Sequence, residues 1–300
     1  MSQMASGDPQ VNDPQANAAM PGAIRLFARP KVIAIACVIA LCALGWAALA
    51  LIVTGAPGAT FDPSTSGLLP RLVDALCNPA HAHPGLPAGA WTVVDAALAF
   101  LMWCAMALAM MLPTAAPMIT TYAEIAETAA RKGERIVSPL VIAGGYAAVW
   151  IGFAAAATAL QGGLARAGLL DPAFAATGPL PSGALFVLAG LYQFSSLKHA
   201  CLTQCQQPFP FFFRNWQTAP AGVFRLGLRQ GLYCLCCCWA MMLLMFAVGV
   251  MNVVWMAGLG IIMAIEKIGA TTRFTKLIGV AMIAAGVVLI ARAVAAQAPF

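Results

Sequence analysis

The chain is 300 residues long, 62% hydrophobic and 9% charged, with a mean hydropathy of +0.86, a balance that excludes an ordinary soluble domain. Its formal net charge of +6 comes from Lys and Arg scattered between apolar segments, not from a basic stripe with interleaved aromatics, so nucleic acid is excluded as a partner. The expected fold is all-α, a polytopic membrane helix bundle with the lipid bilayer as its solvent.

In chain order, residues 1–24 are small and polar, with Pro9, Pro14 and Pro21, and predict a disordered cytoplasmic tail. Residues 25–300 predict a single transmembrane helical domain, since no composition break and no internal repeat divides them. A hydrocarbon core about 30 Å thick takes roughly 20 apolar residues per helix. By that measure, spans are expected near 32–54, 92–112, 139–161, 183–200, 231–249, 251–266 and 277–296, about seven in all. The first is too long for the core of a secretory signal and is read as a permanent span.

The fifth and sixth spans share one apolar run from Gly231 to Glu266, with Gly249 and Asn252 as its turn residues. Charge decides between one helix and two. With seven spans and a cytoplasmic N-terminus, thirteen of the sixteen basic residues fall on the inner side, as cytoplasmic loops prefer. Merging the two spans would carry Lys267, Arg273 and Lys276 outside. Glu266 and Lys267 flank the inner end of the sixth span and are placed to pair with a neighbouring helix, while Asn252 is placed to cap. The outer loop 55–90 is rich in Pro and Gly; Cys77, His81 and His83 within it are assigned no role.

The chemistry-bearing residues cluster at the inner ends of three spans. Cys201 and Cys205 follow Lys198 and His199 at the end of the fourth span, one helical turn apart. Cys234, Cys236, Cys237 and Cys238 open the fifth span, and Met102, Met106 and Met110 form a stripe on the second. Thiolates and thioethers select Cu(I), and thiolates also serve zinc. Cytoplasmic thiols stay reduced and available as ligands. The expected metal ligands are Cys201, Cys205, Cys234, Cys237 and Cys238, with His199, Met106 and Met110 as auxiliary donors. Plain packing by Met and Cys is the competing reading of each. No phosphate loop, nucleophile elbow, zinc helix or dinucleotide fingerprint occurs, so an enzyme is the minority view, a thiol oxidoreductase included.

The sequence resembles a bacterial family of predicted metal-binding integral membrane proteins. The resemblance is carried by Trp103, Met106, Ala109-Met110-Met111-Leu112-Pro113 and Pro117, then by Tyr192-Gln193, Lys198, Cys201, Cys205 and Pro208. It continues through Trp216, Gly227, Gly231, Cys234, Cys237-Cys238-Trp239, Gly249, Asn252, Trp255 and Glu266-Lys267, covering about residues 90–290. Gln206, where a basic residue is usual, and Cys236, where glycine is usual, depart from the pattern. The resemblance implies a metal-binding membrane protein without supplying a reaction. Together these readings predict a multi-pass protein of the bacterial inner membrane that binds copper as Cu(I), or alternatively zinc. Its expected task is metal transport or delivery to a membrane metalloenzyme or metallochaperone partner; the alternative is a non-catalytic assembly or structural subunit of a larger membrane complex.

Overall fold

The computed structural model describes residues 30–54, 93–134, 136–170, 178–250, 252–269 and 271–297, and the fold is all-helical over them. The predicted tail and the loop carrying Cys77, His81 and His83 lie outside the described residues. In chain order the helices are α1 (Pro30–Thr54), α2 (Val93–Arg131), α3 (Pro139–Arg166), α4 (Pro179–Tyr192) and α5 (Ser196–Gln206). They continue with α6 (Pro208–Arg214), α7 (Pro220–Leu243), α8 (Met245–Val248), α9 (Val253–Ile268) and α10 (Thr272–Gln297). Among the described residues, four helical stretches are long and apolar enough to cross a membrane: 95–131, 139–166, 220–248 and 272–296. Counting the bent pair α4 and α5 as one span makes five. At 16 residues α9 is about 24 Å long, short of a full hydrocarbon core.

Three helices depart from the lengths read off hydropathy. The second predicted span was to end at residue 112, yet α2 runs through Pro113 and Pro117 to Arg131. Pro113 has no N–H for the carbonyl of Ala109, and α1 supplies the missing donors: Trp46 Nε1 donates to that oxygen at 3.2 Å and the Cys42 thiol lies 3.6 Å from it. Gly45 allows this approach, since a Cβ there would meet the α2 backbone at Ala105 and Ala109. The run expected as the fourth span is two helices at an angle rather than one continuous helix. After a turn at 193–195, the Ser195 hydroxyl accepts from Lys198 N at 3.1 Å and starts a new helix, α5, bent 65° from α4. The fifth begins at Pro220, eleven residues before the expected 231.

Asn252 caps α9 as expected, accepting from Trp255 N at 3.2 Å, and Gly249, at φ 92°, makes the turn before it. Glycine also sets the closest helix crossings. Gly145 of α3 and Gly227 of α7 face each other so tightly that a Cβ on either would strike the opposite backbone, at Phe224 and Ile142 respectively. Gly183 and Gly190 of α4 meet Gly286 and Gly279 of α10 in the same way. At Gly145 and Gly190 the absent side chain thus serves to pack the chain against itself.

Candidate metal centre

α7 carries its cysteines at mid-helix, and the 3.6-residue period sends Cys234, Cys237 and Cys238 inward, each no more than 3% exposed. Cys234 and Cys238, one turn apart, look onto α2 and α9. There the Lys267 ammonium of α9 sits among them: its Nζ lies 2.9 Å from Cys234 Sγ, 3.4 Å from Met111 Sδ and 3.9 Å from Cys238 Sγ. The Thr114 hydroxyl accepts from the same Nζ at 3.3 Å. Cys238 Sγ and Met111 Sδ are 3.9 Å apart, and three sulfur atoms thus share the buried Lys267 ammonium as their common neighbour. Tyr146 of α3 closes the cage, its hydroxyl 2.9 Å from Cys234 Sγ and 3.1 Å from the Met111 carbonyl.

α5 adds a second pair of thiol contacts. Its face of Lys198, Cys201, Leu202 and Cys205 turns inward, and the thiol of Cys205 lies against that of Cys237, while that of Cys201 lies against that of Cys236. The Tyr192 hydroxyl donates to the Cys236 carbonyl at 2.7 Å and fixes this part of α7. Every cysteine among the described residues is a free thiol.

Beside the sulfur atoms lies a buried ion pair. Lys198 Nζ is 2.8 Å from Glu266 Oε2, with the side chains 0% and 3% exposed. The pairing expected of Glu266 with a neighbouring helix is therefore present, and Gln206 Nε2 donates to the Glu266 carbonyl at 2.6 Å. Lys267 is different. Among the described residues the buried charged side chains are Lys198, Glu266 and Lys267, and no carboxylate pairs with the last. The interior thus holds one ammonium whose neighbours are sulfur and hydroxyl groups.

The expected ligands do not converge on a single point. Among the described residues no group of three His, Cys, Asp or Glu side chains is arranged to hold a metal ion. What converges is two thiols and a thioether. Cys234 and Cys238 belong to the inner cage, Cys205 and Cys237 to the contact with α5, and Cys201 to the contact with Cys236. His199 is half-buried and lies about 100° round α5 from Lys198, off the sulfur-bearing face. Met106 and Met110 are buried in α2, with Met110 beside Gly260 of α9. It is Met111, one residue on, that meets the thiols. Thr114 and Tyr146 carry no signal in the sequence, and Met111 and Lys267, though both carry the family resemblance, enter there without a role at the site. A lysine closing an apolar helix ordinarily reads as an interfacial charge, and only the neighbours of α9 show that it points into the bundle.

Two thiols and a thioether are a donor set that suits a soft ion of low coordination number. The same region carries the match to known proteins. No curated protein and no solved structure matches the chain, but the model of a family described as copper chaperone, PpoB2, matches residues 100–289, from Phe100 within α2 to Leu289 within α10. With well over half of its length matched, the chain belongs to this copper chaperone family.

Proposed function

We propose that the protein is an integral membrane copper chaperone that holds Cu(I) between α2 and α7 and passes it to a membrane metalloenzyme or to a metallochaperone. In this reading Cys234 and Cys238 supply thiolates and Met111 a thioether, while Cys205 and Cys237, with Cys201 and Cys236 beside them, form the sulfur-lined approach from α5. The carrying observation is the meeting of Cys234 Sγ, Cys238 Sγ and Met111 Sδ around the buried Lys267 ammonium, in a family of copper chaperones. Cu(I) transfer needs only exchange of sulfur ligands, so a row of thiols leading inward is a route as well as a store.

The seven-span arrangement with a cytoplasmic N-terminus and a place in the inner membrane belong to the same proposal, supported by the apolar runs of the sequence and by the distribution of its basic residues. That topology opens the α5 thiols toward the compartment in which thiols stay reduced.

Metal analysis of the purified full chain, loaded anaerobically with Cu(I), tests the site. One tightly held copper per chain is expected, falling to near none in the Cys234→Ser/Cys238→Ser double variant. Undiminished copper in that folded variant sinks the site. A wild-type protein that purifies with a defined membrane complex and holds no copper would instead favour the structural-subunit alternative.

A further inference from the structure

The unpaired ammonium of Lys267 poses a physical problem. A charge inside a helix bundle is tolerated when it is paired, and Glu266 is already committed to Lys198. Lys267 instead reaches into the cage formed by Cys234, Cys238, Met111 and Thr114. We propose that Lys267 makes this cage selective by charge, its ammonium balancing the bis-thiolate complex of a monovalent ion, Cu(I) or Ag(I), and disfavouring divalent ions such as Zn(II). This rests on Cys234 and Cys238 being the ligands.

When Cu(I) enters, two S–H bonds break and two Cu–S bonds form. Two protons leave, and copper keeps its oxidation state. The resulting complex carries one negative charge, and with the ammonium retained beside it the cage is neutral. The same two thiolates with Zn(II) form a neutral unit, so the ammonium would leave one positive charge buried without a partner. Removing the ammonium reverses the preference: the copper complex becomes an unbalanced anion and the zinc complex becomes neutral. Lys267 is thus a selectivity residue acting beside the metal, with Thr114 as the hydroxyl that holds its amine.

The experiment is chelator competition with Cu(I) and Zn(II), each alone, on the purified full chain and its Lys267→Met, Lys267→Gln and Lys267→Arg variants. Each variant is first checked for a wild-type unfolding transition. Both neutral variants are expected to shift the Cu(I)-to-Zn(II) affinity ratio toward zinc by about tenfold or more, while Lys267→Arg stays within about threefold of wild type. An unchanged ratio in the neutral variants overturns the proposal, as does an equal loss of both metals. X-ray absorption on wild type with Cu(I) bound is independent of any variant. An all-sulfur first shell is expected, and a nitrogen donor there would mean that the lysine coordinates as a neutral amine, overturning the proposal. If the Cys234→Ser/Cys238→Ser variant loses copper while the Lys267 variants keep the wild-type ratio, the site stands and only charge selection falls.

Discussion

Two buried regions of this bundle are built from the same small and apolar residue types and do opposite things. The α4–α10 contact is closed by glycine pairs at Gly183–Gly286 and Gly190–Gly279, so its backbones approach directly. Beside it, Phe186, Leu244, Trp255, Leu259 and Met282 help line an apolar cavity of about 190 Å³. There the Gln193 amide donates to Met282 Sδ at 3.9 Å, and among the described residues no thiol or ammonium contact to that sulfur is found. The α2–α7–α9 contact places two thiols, a thioether and an ammonium within a few ångströms of each other. The comparison teaches that methionine and cysteine become chemistry only where a second helix brings a soft donor or a charge to the same point.

The comparison can be broken most forcefully at the ion pair beside the cage. Glu266→Ala leaves the Lys198 ammonium buried and unpaired and is expected to cost about 3–5 kcal/mol, read as a large fall in the unfolding midpoint in detergent. Replacing both partners together, Lys198→Met with Glu266→Leu, should recover most of that loss. Next is the α3–α7 crossing, where Gly227→Val forces the helices apart; an overpacking cost of about 1–3 kcal/mol is expected in the same unfolding assay.

Smaller effects sharpen the contrast. Tyr146→Phe removes the hydroxyl that meets Cys234 and the Met111 carbonyl and should lower stability by about 1 kcal/mol, with weakened copper retention in a chelator challenge. Met111→Leu conserves volume and should change stability by less than about 1.5 kcal/mol, yet weaken Cu(I) binding by about tenfold. Met282→Leu, in the wall of the apolar cavity, should leave both quantities unchanged within error. Equal copper binding by the Met111 and Met282 variants would erase the distinction between the two regions.

Much of the bundle was legible beforehand. Long apolar runs, the Gly249–Asn252 turn and the cap at Asn252 follow from solvation and local hydrogen bonding, which a sequence carries explicitly. The length of α2 was not legible, because Pro113 ordinarily ends a helix and its survival depends on Trp46 and Cys42 from a distant segment. Nor was the break at Ser195, which swings α5 across α7, since hydropathy is blind to a 65° bend.

The sequence by itself determined that this is an all-helical, highly apolar chain with soft donors on three segments, because period and composition are local properties. It also placed Cys234 and Cys238 on one face, since they are one helical turn apart. Only the tertiary structure decided which donors meet. Met111 rather than Met106 or Met110 reaches the thiols, and Lys267 rather than Glu266 enters the cage, because a rotation of 100° per residue separates neighbours on a helix and the crossing of α2, α7 and α9 selects among them.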